Sequence, residues 1–280
     1  MQENYTKNIF VFLVFYYLKI REKGLLYPLC LVVMFSFFMR FNQHKNMNNG
    51  KNKTIVFGHR GYPVKFAENS MEGFRNAVQN GAEGIEFDVH LTKDGIPVVM
   101  HDEKVDRTTD GTGYIKDFTL NKLRRLHLSN GESVPTLQEL FELLENKNIQ
   151  INLEFKTGVI HYPGIENTVL SLAQLYHFVY PIIYSSFDYV TLKNCQEIDP
   201  NQIYCYLTDE EVVNSAKLVK DNHFAGIHPG KLLPGEEAVT ERIWTVDDPQ
   251  IAKQYFQKHV AGIFTNNYPM MIKLRDQIQG

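Results

Sequence analysis

Cysteine is scarce in this chain: three residues in 280, Cys30, Cys195 and Cys205, none of them in a C-x-x-C pair. An odd count at such spacings excludes a disulfide framework and a structural zinc site, and Cys205, inside an apolar run, reads as a buried inert thiol. Neither sign of charge dominates, with 29 basic and 32 acidic residues and a net charge of -3. No basic stripe stands out either, so no nucleic-acid partner is expected. No glycine-rich phosphate loop opens the first helix, which disfavours an open dinucleotide-binding sheet. Tryptophan occurs once, at Trp244.

Apolar runs of full membrane-spanning length are missing as well. Residues 9–18 and 25–39 are apolar, the second run interrupted by Pro28 and Ser36, and each falls short of the roughly 20 residues a spanning helix needs. No small-residue cleavage site follows, so a cleaved signal peptide is not expected. Basic residues flank the second run on both sides and give no orientation. Two readings stay open: a membrane anchor making contact through residues 9–39, or a stretch upstream of a start at Met47. Either way the chain divides into an apolar segment, 1–46, and a catalytic domain, 54–280, expected on the cytoplasmic side.

What is present from Thr54 onward is alternation. Strands are expected over 54–57, 84–91, 149–155, 181–185, 203–207, 224–228, 243–246 and 261–265, with a short extended return over 96–100. Helices are expected between them, over 136–145, 164–177, 189–197, 210–221 and 249–258, and after an N-cap at Asn69. Glu72 three residues on completes a capping box and Gly81 closes that helix. Leu137, Leu140, Phe141 and Leu144 lie at helical spacing. Eight principal strands alternating with helices imply a parallel sheet closed on itself, the α/β class with a (β/α)8 TIM barrel and an apolar N-terminal extension.

Such a barrel carries its chemistry at the carboxyl ends of its strands. Glu86-Phe87-Asp88 and Glu154-Phe155-Lys156 each place two charges on one face of a strand and Phe on the other. His59 and Arg60 follow the first strand, His101 ends the short return, and Trp244 belongs to the seventh strand. Taken singly, each has a plain explanation: a surface ion pair, a turn histidine, a core tryptophan. Together they converge on one rim, which surface decoration does not explain. His228 ends a strand and is a further rim candidate. His90, His127, His161, His177, His223 and His259 gain no such support and read as ordinary.

Three carboxylates brought together repel, and burial raises that cost, so Glu86, Asp88 and Glu154 call for a cation. Oxygen-only donors suit a hard divalent ion, Mg²⁺ or Ca²⁺. Arg60 and Lys156 add positive charge fitted to a phosphate, and a monoanionic phosphodiester then brings the site to neutrality. His59 and His101 have the intrinsic basicity for general acid and base work near neutral pH.

The order His59-Arg60-Gly61, Glu68-Asn69-Ser70, Glu86-Phe87-Asp88-Val89, His101-Asp102, Arg107-Thr108-Thr109, Gly111-Thr112-Gly113, Glu154-Phe155-Lys156 and Trp244-Thr245-Val246 resembles the glycerophosphodiester phosphodiesterases. The resemblance runs from Thr54 to Pro269. It implies a barrel related to that of phosphoinositide-specific phospholipases C, a metal held by Glu86, Asp88 and Glu154, and His59 and His101 as acid and base. It also implies hydrolysis of glycerophosphodiesters to an alcohol and sn-glycerol 3-phosphate. Close alternatives are a lysophospholipid-directed enzyme at the membrane and a non-catalytic relative that binds metal and phosphate. Two departures stand out. The interval from Pro229 to Trp244 is short, so helix six and strand seven are expected to be trimmed, and Asn266 stands where the family often has Asp.

Overall fold

The computed structural model describes residues 53–234 and 239–280. The apolar segment at 1–46 lies outside the described residues. Among those described, no helix is long and apolar enough to cross a membrane.

Eight parallel strands form the wall. They are β1 (Ile55–His59), β2 (Gly84–Leu91), β4 (Gln150–Phe155), β5 (Ile183–Ser186), β6 (Ile203–Thr208), β7 (Gly226–Pro229), β8 (Arg242–Ile243) and β9 (Gly262–Thr265). The sheet order is β7-β6-β5-β4-β2-β1-β9-β8. A short strand β3 (Pro97–Val99) pairs antiparallel with the end of β2. The result is a nearly closed TIM-type barrel, as the strand–helix alternation predicts.

Its seam lies between β7 and β8, where the chain was expected to be trimmed. Ile227 N–H donates to the Thr240 carbonyl at 3.0 Å and Trp244 N–H to the Pro229 carbonyl at 3.2 Å. A single parallel bridge joins Ile227 to Glu241. Gly226 is what lets the strands approach, since a Cβ there would stand 2.3 Å from the Thr240 carbonyl oxygen. β8 has two residues rather than the four expected over 243–246, so Trp244 lies just past the strand instead of within it.

The connecting helices are α1 (Met71–Gln79), α2 (Leu120–Leu123), α3 (Leu137–Leu144), α4 (Ile165–Ala173), α5 (Tyr189–Ile198), α6 (Ser215–Asn222), α7 (Pro249–Lys258) and α8 (Tyr268–Gln279). The signal for α3 is a complete capping box between Thr136 and Glu139, with Leu137, Leu140, Phe141 and Leu144 buried. α6 starts at Ser215, capped by Asn214, five residues later than the apolar pattern over 210–221 suggests. Ahead of it, Glu210 N–H donates to Thr208 Oγ1 at 3.0 Å, in a turn that follows β6.

Two layers of apolar side chains fill the molecule. β2 is buried along its whole length: Ile85, Phe87 and Val89 join the helix-covered outer core, while Glu86, Asp88 and His90 share the opposite face by strand alternation. Phe57, Ile183, Cys205 and Phe264 plug the barrel interior, with the Phe57 and Phe264 rings 5.0 Å apart. Cys205 is buried there as a free thiol, as its apolar run suggests. A third small cluster, around Val98, Met100, Val105, Ile115, Leu123, Leu128 and Val134, supports the excursion that carries His101.

Candidate active site

A cavity of about 240 Å³ opens at the carboxyl ends of the strands, and its wall includes His59, Arg60, Glu86, His101, Glu154, Lys156 and Trp244. Asp88, only 1% exposed, is buried beside them. The structure therefore brings together eight of the nine rim residues that the sequence singled out, all but His228. It adds Asn152, Phe187, Leu207 and Phe264 to the wall, none of which carries a distinguishing sequence signal.

The turn after β1 sets the first residues. A Cβ at Gly58 would meet the Gly61 carbonyl oxygen at 2.3 Å, so only glycine allows the chain to fold back here. Arg60 takes a left-handed conformation, φ 52°. Two hydrogen bonds hold it: its N–H donates to Glu86 Oε2 at 3.0 Å, and its carbonyl accepts from Asn69 N–H at 3.0 Å.

Register then assembles the acidic cluster. Asp88 pairs with Glu154 and Glu86 with Asn152 across β2 and β4, so the three carboxylates share the inner face and offer oxygens within 4.8 Å of one another. Lys156 Nζ lies 2.9 Å from Glu154 and 3.7 Å from Asp88. Arg60 Nε lies 3.7 Å from Asp88.

The electrostatics are uneven. Burial pushes Glu86 well above the usual carboxylate range, and the charges of Asp88 and Glu154 add to the shift. Burial likewise raises Glu154 to about 7, against the pull of Lys156. At Asp88 burial acts upward too, but Lys156, His101 and Arg60 together outweigh it and hold the group near 2. Two of the three carboxylates thus resist ionising in the protein alone, which is the signature of a site short of positive charge. Asn152 Oδ1, buried, has no hydrogen-bond partner. A donor set made only of oxygens in a charge-deficient pocket fits a hard divalent cation.

The two histidines are oriented differently. His101 Nδ1 lies 2.6 Å from Asp102 Oδ1, and since a carboxylate only accepts, Nδ1 carries the hydrogen and Nε2 is left for proton exchange. His59 Nδ1 lies 2.9 Å from Asn266 Oδ1. The Asn266 amide nitrogen is engaged in donating to Asp247 at 2.6 Å, so His59 Nδ1 must be the donor to Oδ1. Its Nε2 stands 3.9 Å from Glu86 Oε2. Burial, and then the Arg60 charge, lower His59 to about 4 despite the Asn266 bond.

Three expectations need correction. The N-cap of α1 is Ser70, whose hydroxyl accepts from Gly73 N–H. Asn69 instead takes a left-handed backbone and donates its side-chain amide to Asp88 Oδ2 at 2.9 Å, since a buried carboxylate left without donors is costly. His90 is not ordinary. It is fully buried, with Nε2 3.2 Å from the His101 carbonyl and Nδ1 3.0 Å from the Tyr162 hydroxyl. The carbonyl can only accept, so Nε2 donates to it and Nδ1 accepts from Tyr162. His228 is also fully buried, but both its ring nitrogens lack partners, its ring lies against Phe264, and it is not part of the cavity wall.

Trp244 donates its indole N–H to the His228 carbonyl at 2.7 Å and meets Phe187 edge to face at 5.4 Å.

Comparison with known proteins bears on what a barrel mouth with this charge pattern does. The sequence profile of the glycerophosphoryl diester phosphodiesterase family matches residues 59–269, and the chain belongs to that family. The chain is similar to the glycerophosphodiester phosphodiesterase of Caldanaerobacter subterraneus, 35% identical over 79% of this chain and 98% of the relative. The Bacillus altitudinis enzyme of the same name is 32% identical over 81% and 100%. Among solved structures, the Thermotoga maritima glycerophosphodiester phosphodiesterase superposes with a TM-score of 0.66 at 29% identity, covering 80% of this chain and 99% of that one. An Oleispira antarctica phosphodiesterase solved with the product sn-glycerol-3-phosphate shares the fold, with a TM-score of 0.73 at 24% identity over 80% and 97%. The chain is an enzyme of phosphodiester hydrolysis.

Proposed function

We propose that the chain hydrolyses glycerophosphodiesters to an alcohol and sn-glycerol 3-phosphate, with His59 and His101 as the proton-transfer pair. The observation that carries this reading is the pairing of two histidines, each with Nδ1 engaged and Nε2 left over, on the wall of one cavity that also holds the three carboxylates. A purely binding protein has no use for two histidines so prepared.

Glu86, Asp88 and Glu154 would hold one divalent cation, Mg²⁺ or Ca²⁺. Bound there, the ion would supply Lewis-acid polarisation of the phosphoryl oxygens and offset their charge. Arg60 and Lys156 bind the phosphate. Arg60 borders the cavity, and its Nε, buried 3.7 Å from Asp88, has no hydrogen-bond partner. His59, kept neutral by burial and Arg60, takes the proton of the attacking hydroxyl, and His101 delivers one to the departing alkoxide. Asp102 offsets the charge that His101 carries while protonated. Trp244, with Phe187, borders the cavity as a flat apolar wall of the substrate pocket. Phe187 is 37% exposed, which favours as a second reading an alcohol bearing hydrocarbon, as in a lysophospholipid presented at a membrane.

By its resemblance to the family, the attacking hydroxyl is that of the glycerol moiety next to the phosphate. It forms a cyclic phosphate as the alcohol leaves, and water then opens the ring, with the histidines exchanging roles. Release of sn-glycerol 3-phosphate from glycerophosphocholine, measured beside the 2-deoxy analogue, tests the proposal. The parent diester turns over and the analogue binds but reacts very slowly. Brisk hydrolysis of the analogue would favour direct attack by water, and no release from any glycerophosphodiester would overturn the function.

A further inference from the structure

Glu68 and Arg107 are absent from the cavity wall and from the carboxylate cluster, yet they form the tightest ion network near it. The Arg107 guanidinium grips two carboxylates at once. Nε and Nη2 donate to Asp102 at 2.7 and 2.9 Å, and Nη1 and Nη2 donate to Glu68 at 2.7 Å each. Both carboxylates have a second duty. Asp102 Oδ1 accepts from His101 Nδ1 at 2.6 Å, and Glu68 Oε1 accepts from Arg60 Nη1 at 3.1 Å. An unbroken chain of hydrogen bonds thus runs from His101 through Asp102, Arg107 and Glu68 to Arg60.

The ends of this chain belong to different elements. Glu68 and Arg60 sit in the connection between β1 and α1, while His101, Asp102 and Arg107 belong to the excursion after β3. Among the described residues, no backbone hydrogen bond joins these two loops. We propose that Arg107 is a positioning residue that keys the loop bearing Arg60 to the loop bearing His101, fixing the phosphate grip and the proton donor in one geometry. The inference rests on the roles given to Arg60 and His101 above.

The chemistry suits arginine alone. Only a planar fork with five donors can bond two carboxylates edge-on, whereas lysine offers a point charge. Without a cation between them, Glu68 and Asp102 would face each other as like charges. The network lowers both of them from the usual carboxylate range: at Glu68 the Arg107 and Arg60 bonds outweigh burial, and at Asp102 the Arg107 bonds come first. Arg107 itself is about half exposed, at 48%, so solvent screening keeps its contribution to global stability small. Its effect falls on orientation, where a displacement of about 1 Å can cost on the order of 10²-fold in rate.

The test is steady-state kinetics of the full chain with Mg²⁺ and glycerophosphocholine, alongside thermal unfolding. Arg107→Gln is expected to lower kcat/KM about 10- to 100-fold, with kcat reduced and KM raised together, while the unfolding midpoint moves little. Glu68→Gln should act mainly on KM, and Asp102→Asn mainly on kcat. Combined with Arg107→Gln, neither should add its full single effect, since all three belong to one network. Arg107→Lys should restore only a minor part of the loss. Arg107→Gln within twofold of wild type, or full rescue by lysine, overturns the proposal. If Arg107→Gln does not fold, the KM-against-kcat split between Glu68→Gln and Asp102→Asn decides it. Arg60→Ala and His101→Ala run as controls: full activity in either brings down the underlying role and the inference with it. Inactive controls beside a normal Arg107→Gln bring down the inference alone.

Discussion

Asp88 on β2 and Glu154 on β4 are register partners, side by side on the inner face of the barrel. Parallel pairing has placed two buried carboxylates side by side, with Glu86 two residues before Asp88 on the same face. Lys156 answers part of this charge, at 2.9 Å from Glu154, and cannot answer all of it. Glu86 and Glu154 are accordingly shifted toward their neutral forms.

Metal removal should therefore silence the enzyme. Exhaustive chelation is expected to abolish turnover of glycerophosphodiesters, and Mg²⁺ or Ca²⁺ to restore it. Glu86→Ala or Glu154→Ala should lower turnover by at least about 10²-fold, because charge stabilisation at the phosphoryl group is lost. A chelated protein that keeps full activity would refute a metal role for the cluster.

The proton-transfer pair gives a second expectation. His59→Ala and His101→Ala should each reduce kcat by roughly 10²–10⁴ with the fold intact. The double variant should cost less than the product of the two losses, since residues acting as a unit are not additive. Multiplicative losses, or no loss at one site, would count against a shared role. Circular dichroism on each variant separates chemistry from unfolding.

His90 offers a stability test. Replacing it by Phe leaves the Tyr162 hydroxyl and the His101 carbonyl without their buried partner, at a cost of about 1–3 kcal/mol. For a domain of this size that is a fall of roughly 2–4 °C in midpoint per kcal/mol. Activity should fall as well, because the backbone of His101 is released. An unchanged midpoint in a thermal melt would show that the bond holds nothing in place.

Glu139 sets a pH dependence. Burial acts to raise this carboxyl, but Thr136 N–H at 2.9 Å and Arg124 at 2.6 Å outweigh it and lower it from 4.5. A carboxyl depressed in the folded state stabilises above its unfolded value and loses that contribution as pH falls through its folded value. Glu139→Ala should thus destabilise α3 by roughly 0.3–1.5 kcal/mol at pH 7. The difference from wild type should shrink once the pH drops well below 4.5. Urea melts at pH 7 and pH 3 measure it, and a gap of equal size at both would rule out the ionised carboxylate as its source.

The sequence by itself determined the barrel and the chemical cast of its mouth. Strand alternation with period two put Glu86 with Asp88, and Glu154 with Lys156, on shared faces, and strand ends placed His59, Arg60 and Trp244 at one rim. Such information is local, because a face follows from parity along a few residues. Tertiary structure alone decided which groups hold these residues in place. Asn69 reads as a helix cap in sequence and becomes a partner of Asp88 in space. His90, indistinguishable from the other histidines along the chain, meets His101 only because β2 outruns the barrel and pairs with β3. Glu68 and Asp102 converge on Arg107 across loops whose course no periodicity encodes. The short stretch before Trp244 closes the seam through two backbone hydrogen bonds and a glycine, a fit set by the curvature of the whole sheet. Parity survives in one dimension, whereas a partner's identity depends on how distant loops pack, and that is a property of the folded chain.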